Sequence, residues 1–388
     1  MADENEIGQR LRAIRKRRGL SLDTAAGLAG IGKPYLSMLE RGQRRIDSRM
    51  LLDRLADALH TVPDVQLALA DTSLDDVPDL PARPLAELIE PVRAAHVAYM
   101  DHARYDLAGR GLGHLLTDLH IHAVNGTEEE RAEAYGLLVE ACIVAFGVTK
   151  NLGHPDLALM AAQRGYDVAK ASNDPTLLAF AGQRRGQALQ RVGAVRRAGT
   201  TLERLLIETL PYADPTAADT SATEGVGMLH LTAALNAARC GQAAVAHDHL
   251  DAAAEFAERT GERNAFGQHF GPANLGVWRI SVGVELGEGA GVVDENASGI
   301  NVARLASADR VAMLGADSAR ALAQEGGARD ADAVRLLDSA DRSAPARLRQ
   351  DPIVRELVTT LSRRATRRSW ELDSLRHRFG VGSRAVNA

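Results

Sequence analysis

The chemistry this chain is equipped for begins with its cations. Between Ile7 and Arg49 stand Arg10, Arg12, Arg15, Lys16, Arg17, Arg18, Lys33, Arg41, Arg44, Arg45 and Arg49, against only Asp23, Glu40 and Asp47. That segment carries +8 while the 388-residue chain carries −5, so the remainder is strongly acidic. A basic end on an acidic body suits a protein that touches phosphates with one end only. Other reactive groups do not assemble. His120-Ile121-His122 and His247-Asp248-His249 suggest metal ligands. Helix positions two apart point to different faces, however, and neither pair has a Cys or carboxylate set at a familiar spacing. These histidines are expected to be solvated surface groups. The sequence has no phosphate-binding loop, nucleophile elbow or zinc-protease motif, and Gly283, Gly287 and Gly289 follow no strand. No enzymatic activity, cofactor or metal is expected.

The cations must be held by a run of short helices. Ile7, Leu11 and Ile14 share one face of a helix expected from about Glu6 to Arg18. Ser21 is a good N-cap for a second helix, with Thr24 in its first turn. Ala25 and Ala26 are small enough for close packing, and Gly30 supplies a turn position that tolerates positive φ. A third helix is expected to start near Gly32-Lys33-Pro34, where the missing proline N–H costs nothing. Ile31, Leu36 and Leu39 stand at helical spacing, and Glu40-Arg41-Gly42 closes this helix. Two more helices are expected. One runs about Asp47 to Leu59 with Leu51, Leu52, Leu55 and Leu59 inward, and a short one lies near Val65 to Ala70.

The stretch from Ser21 to Gly42 resembles the DNA-binding domain of Cro/C1-type transcriptional regulators, the XRE family, with its lambda-repressor-like helix-turn-helix fold. The resemblance implies that the third helix enters the major groove of double-stranded DNA and reads base edges with Lys33, Pro34, Ser37 and Met38. Lys33 would donate to guanine O6 and N7, Ser37 would bond a base or a phosphate, and Met38 would make apolar contact, as with a thymine methyl. Arg41, Arg44 and Arg45 in the following loop, with Arg10 and Arg12 on the first helix, would contact phosphates. Such contacts give affinity and salt dependence, not sequence choice. Arg15 and Glu40 match a pair that is partly buried and structural in the family. Leu22, often polar there, and Met38, often Gln, Arg or Lys, depart from the pattern. Direct hydrogen-bond readout would then be sparse, and specificity would lean on DNA shape.

Proline and acidic residues between Asp64 and Pro84 mark a linker, set at residues 71–84 between a head at 1–70 and a body at 85–388. The body has helical periodicity throughout and no convincing strand, so the chain reads as all-α. Its 45% apolar content allows a sizeable core, and the low aromatic content of 4% favours tight helix packing. Cys142 and Cys240 lie in apolar helical runs and are expected to be buried free thiols. The acidic start is no signal peptide. The best apolar run, Leu137 to Val148, is shorter than the ~18 residues of a membrane span and holds Glu140. A soluble cytoplasmic protein without a membrane partner is expected. Gly153 precedes Ala158, Ala162 and Gly165, Gly193 precedes Ala198, Leu202 and Leu205, and Gly241 precedes Ala246, Leu250 and Ala253. Ala333, Leu337, Ala340 and Pro345 repeat the later part. These look like second helices of tetratricopeptide-type (TPR) pairs, spaced by roughly 40 residues against an ideal of about 34. Such pairs stack into an α-solenoid with a concave face.

The layout of head and repeats resembles a large class of actinobacterial regulators and, more distantly, the peptide-sensing quorum regulators of Gram-positive bacteria. Gly261 to Asn274 is a segment typical of the first class. The expected function is a DNA-binding transcriptional regulator. It would be a homodimer, because one module covers about half a site, and a small molecule, peptide or protein partner on the body would control it. Phe270-Gly271-Pro272-Ala273-Asn274 interrupts the helical period just before an apolar helix from Leu275 to Leu286. As a structural turn, its polar groups would cap that helix. As a site, His269, Phe270, Asn274, Trp278 and Arg279, with Asn236 and Arg239, would offer amide, ring and cationic contacts to an effector. Arg363, Arg364, Arg367, Arg368 and Arg376 around Trp370 read as the solvated face of a capping helix. The alternative function is an interaction scaffold, with the body holding a protein and the head an accessory anchor.

Overall fold

A computed structural model describes residues 4–44, 46, 48–367 and 369–381. All regular structure among the described residues is helical. The head holds α1 (Glu4–Arg17), α2 (Leu22–Leu28), α3 (Lys33–Glu40) and α4 (Arg49–Asp71). Ser21 caps α2 by accepting from the Thr24 amide at 3.0 Å. Gly30, at φ +62°, turns the chain toward α3, whose first turn contains Pro34. Leu11, Leu28, Leu36, Leu39 and Leu55 close a small core. Gly8 lets α1 touch the end of α3, since a Cβ there would lie 2.3 Å from the Leu39 carbonyl oxygen.

Two expectations for the head change. Ile14 is 38% exposed, because the inward face of α1 runs through Leu11 and Arg15. The two helices expected after Asp47 are one, α4, which continues through Pro63. Proline removes one donor from the helix. Packing offsets that loss: Val62, Val65, Ala68 and Leu69 are buried, and this half of α4 lies against the body. No helix spans the stretch between Asp71 and Leu85.

The body begins with α5 (Leu85–Met100), α6 (Tyr105–Ala108), α7 (Leu112–Asn125), α8 (Glu128–Asn151) and α9 (Pro155–Ser172). It continues with α10 (Pro175–Arg191), α11 (Val195–Thr209), α12 (Ser221–Arg239), α13 (Ala243–Thr260) and α14 (Pro272–Leu286). It closes with α15 (Gly291–Asn296), α16 (Val302–Leu305), α17 (Ala308–Glu325), α18 (Asp330–Ser343), α19 (Pro345–Arg349), α20 (Pro352–Arg364) and α21 (Trp370–Phe379). The pairs α8/α9, α10/α11, α12/α13 and α17/α18 pack as hairpins. Gly153, Gly193 and Gly241 take the left-handed conformation at three of the hairpin turns, with φ of +87°, +80° and +71°. Ala158, Ala198 and Ala246, five residues after each, are buried. Leu202 and Leu205 of α11 press on Gly186 and Gly182 of α10, where a Cβ would lie 2.6 and 2.5 Å from a leucine methyl. Because α10 also packs on α12, and α14 on both α12 and α17, the hairpins stack side by side.

The helix α8 is long and apolar enough to cross a membrane, yet 72% of its most apolar window is buried inside the fold, as befits the central core helix. Its Cys142 is buried, and burial pushes that thiol up to about 12. Cys240 is exposed, contrary to expectation, because it caps the end of α12 just past the packed run. Two of the histidines also depart from expectation, whereas His247 is exposed as expected. His120 is fully buried in α7 and His249 half-buried beside His230, their Nδ1 atoms 3.0 Å apart, because the stacked helices cover both positions. Among the described residues, no group of three or more His, Cys, Asp or Glu could hold a metal ion.

Candidate functional site

The head is braced from inside. Arg15 donates through Nε and Nη2 to the two carboxylate oxygens of Glu40 at 2.6 and 2.9 Å, and through Nη1 to the Leu20 carbonyl at 2.8 Å. Both partners are buried, and the hydrogen bond to Glu40 raises the Arg15 pKa. This fork joins α1 to the end of α3. Leu22 packs against the core.

On the outer face, Lys33 at the start of α3 bonds Asp23 at 2.6 Å. Pro34, Ser37 and Met38 are half-buried on the same helix. The Met38 carbonyl accepts from the Gln43 and Arg44 amides at 2.9 and 3.3 Å, which ties down the following loop. Arg41 donates to the Ser37 carbonyl at 3.1 Å, and the Arg44 guanidinium stacks over the Tyr35 ring, 5.3 Å from its centroid. Arg10, Arg12, Arg41 and Arg44 are exposed, and Arg45 lies outside the described residues. The sequence reading missed the Asp23 bond and the Tyr35 stack, since both depend on side chains from different turns meeting.

Head and body touch at two seams. At the first, the body's Arg164 donates to the Leu69 carbonyl at 3.2 Å and to the carbonyl and hydroxyl of Thr72, satisfying the C-terminal end of α4. The same guanidinium lies 3.0 Å from His120 Nε2, while His120 Nδ1 bonds the Leu116 carbonyl at 2.6 Å. Only the neutral ring, with its proton on Nδ1, serves both partners. Burial lowers the His120 pKa to about 4. At the second seam, Thr24 Oγ1 donates to the Leu152 carbonyl at 3.1 Å, and Gln350 donates to the Asp23 carbonyl at 2.7 Å. Arg355 stands 3.5 Å from the Asp23 carboxylate. A cleft of about 130 Å³ separates Gly30, Gly32 and Lys33 of the head from Arg349, Arg355 and Arg378 of the body.

The expected effector residues scatter. Arg239 and Trp278 line one cavity of about 170 Å³. Asn236 sits in an outer groove beside Gly199, because it occupies a different face of α12. His269 contacts Asp101 at 3.1 Å, and burial lowers its pKa against the opposing Asp101 charge. Phe270 is fully buried on Gly227, and Asn274 donates to the Gln268 carbonyl at 3.1 Å. Arg279 is half-buried and does not line the cavity. The turn therefore spends its groups on the fold, but the cap of α14 comes from outside it. Glu262 accepts from the Ala273 amide at 2.9 Å. In the C-terminal patch, Arg364 donates to the Ala323 carbonyl at 2.7 Å, so this arginine is structural.

The cavity is lined from α8, α10, α12, α14 and α17, the inner helices of the stack, and closed by α19 and α20. Its cations include Lys150, Arg184, Arg310, Arg320 and Arg347, which sequence reasoning passed over. One signal was present: Gln183, Arg184, Arg185, Gln187, Gln190 and Arg191 put polar groups all round α10, a helix enclosed by its neighbours. Residues 345–355 link the two regions. Arg347, Asp351, Ile353 and Val354 face the cavity, whereas Pro345, Arg349, Gln350 and Arg355 face the cleft before Lys33.

Residues 6–70 match the model of a helix-turn-helix domain. Over 62 residues the chain is 39% identical to the HTH-type transcriptional regulator SinR of Bacillus subtilis (strain 168). That stretch is 15% of this chain and 56% of the relative, so the chain spans about half the length of the curated protein it matches. No solved structure matches the chain. The head is thus a helix-turn-helix domain.

Proposed function

We propose that the protein is a homodimeric, sequence-specific transcriptional regulator whose TPR-like body binds an effector and sets the freedom of the DNA-reading head. It would act in the cytoplasm on chromosomal DNA. The observation that carries this reading is the start of α3. Lys33, which this reading assigns to a base edge, faces a cleft whose far wall belongs to the body. Helix α3 must enter a major groove about 12 Å wide to read sequence. Arg349, Arg355 and Arg378 stand across a narrow cleft from its first turn, so DNA entry requires the second seam to open. The segment at residues 345–355 also lines the cavity, so a ligand that prefers one arrangement of this segment would shift the head between docked and free states. Lys33, Pro34, Ser37 and Met38 are assigned to base contacts, and Arg10, Arg12, Arg41, Arg44 and Arg45 to phosphates. Dimerisation follows from the half-site that one module covers.

The test is selection of genomic and random DNA fragments by the full-length protein at near-physiological salt. A recovered palindrome or direct repeat supports a dimeric reader. Lys33→Ala should then cost about 1–3 kcal/mol of discrimination at one base position. Unchanged discrimination would remove α3 from its assigned role. Recovery of no motif, together with tight capture of one protein by the body, would favour the scaffold instead.

A further inference from the structure

The cavity's charge is unbalanced in a specific way. Every carboxylate in its wall is already engaged. Arg320 holds Asp317 at 2.9 Å and Glu285 at 3.0 Å, and Arg347 holds Asp351 at 3.1 Å and Asp309 at 3.4 Å. Four cations of the wall meet no carboxylate within ion-pair distance among the described residues: Arg191, which is exposed, and Lys150, Arg310 and Arg184, which are not. The Lys150 ammonium lies 5.3 Å from the Phe146 ring centroid, and the Arg310 guanidinium 5.6 Å from that of Trp278. Arg184, only 3% exposed, reaches the Gln187 amide oxygen at 3.0 Å and the Met100 sulfur at 3.9 Å. Its Nε has no hydrogen-bond partner, nor do Trp278 Nε1 and Asn151 Oδ1, also buried on residues of this wall. Buried polar atoms are rarely left unpaired without a reason. Burial pushes the Lys150 ammonium well below its ordinary pKa and lowers Arg184 to about 10. Nearby charge of the opposite sign would relieve both.

Beside the polar Asn151, Gln187, Gln190 and Ser281, the wall has an apolar and partly flat portion. Tyr99, Trp278, Val277, Leu235 and Met313 contribute it. Gly147 admits the Tyr99 ring against α8, where a Cβ would lie 1.9 Å from its Cζ. An apolar cavity of ~150 Å³ takes up a benzene-sized molecule, and this one measures about 170 Å³. We infer that the cavity binds a small organic anion, a carboxylate or phosphate monoester on a flat apolar body, with Arg184, Lys150 and Arg310 receiving the charge and Trp278 and Tyr99 the body. This assignment deepens the effector reading above and rests on it only for its regulatory meaning.

The experiment uses the full-length protein carrying Trp370→Phe, which removes an exposed indole and leaves Trp278 as the single tryptophan. Its fluorescence is titrated at constant ionic strength with phenyl phosphate, benzoate and the neutral benzyl alcohol. At least one anion should saturate the signal with a Kd of about 1 mM or tighter, the range open to a ligand of about ten atoms. Benzyl alcohol should bind at least about tenfold more weakly, the loss expected for one charged hydrogen bond. The comparison of phenyl phosphate with benzoate identifies the head group. Arg184→Gln should weaken the anion by about tenfold and leave benzyl alcohol unchanged. Lys150→Met serves if the first variant does not fold. Equal binding of the alcohol, or no saturation by either anion, overturns the assignment. Operator affinity measured with and without the saturating anion separates the two readings. Anion binding without a change in DNA affinity keeps the site and removes the effector control. A response to some other ligand, with no anion bound, does the reverse.

Discussion

The head meets the body at two seams made of opposite materials. Where α4 enters the body, apolar Val65, Ala68 and Leu69 are buried, and Arg164 satisfies the carbonyls at the helix end with His120 behind it. Where α2 and α3 face the body, the contact is a buried hydrogen bond from Thr24 to Leu152, a part-buried hydrogen bond and a long ion pair at Asp23, and the close approach of Gly27 to the Leu152 side chain, beside an open cleft. Apolar burial yields ~25 cal/mol per Å², and stranding a buried charged partner costs several kcal/mol. The part-buried polar pairs at Asp23 contribute about 0–1 kcal/mol each, and the buried Thr24 hydrogen bond about 0.5–1.5 kcal/mol. One seam is therefore a fixed joint and the other a contact that can open while the fold persists. A single chain can hold its head permanently and still free the face of α3.

The largest expected effect breaks the fixed joint. Arg164→Ala removes the partner of Leu69, Thr72 and His120 together, and should cost about 2–4 kcal/mol in urea unfolding. A loss below about 1 kcal/mol would place the joint's strength in apolar burial alone.

Acid tests the same joint. His120 is neutral in the fold with a pKa lowered to about 4 from 6.5. Between those values the unfolded chain binds a proton that the folded chain does not, so stability falls as pH drops through that window. The full contribution at about pH 4 is of order 3 kcal/mol. His230, lowered to about 4 mainly by burial, adds to the same slope. His120→Gln should flatten the dependence of the urea midpoint on pH by its own share, and an unchanged slope would mean that His120 charges without leaving its place.

The opening seam should behave differently. Gln350→Ala combined with Arg355→Ala removes two body contacts to Asp23, and should cost less than about 1 kcal/mol of stability. On the proposed function, the same pair raises DNA affinity severalfold, readable by fluorescence anisotropy on a selected operator. Lower affinity would assign Arg355 to the DNA instead of the docked state. The smallest effect belongs to Arg44, which is exposed over Tyr35. Arg44→Ala should leave stability unchanged and reduce the slope of log affinity against log salt by about 1.

Much of the head was legible because its signals are local. Ser21, Gly30 and Pro34 each act on their own turn of chain, and α2 and α3 begin where these residues direct. The pairing of Arg15 with Glu40 came from a family pattern, and the structure brings the two together as a buried fork. The glycine-led series in the body marks hairpin turns for the same local reason. Ile14, Cys240 and His120 were read against their actual environments, because a helical period tells which residues share a face but not which face a distant helix will cover. The join of α4 across Pro63 is of this kind, since only packing on the body offsets the missing hydrogen bond.

By itself, then, the amino-acid order determined the helical class, the caps and turns set by neighbouring residues such as Ser21 and Gly30, and the concentration of positive charge at one end. These depend on backbone preferences and on neighbours within a few residues. Tertiary structure alone decided that Lys33 would pair with Asp23 before a cleft, that residues 345–355 would face both cleft and cavity, and that Arg184 would be buried without a carboxylate. Each joins residues on different helices, and the strength of a charge–charge contact depends on distance and burial, which exist only once the helices have stacked.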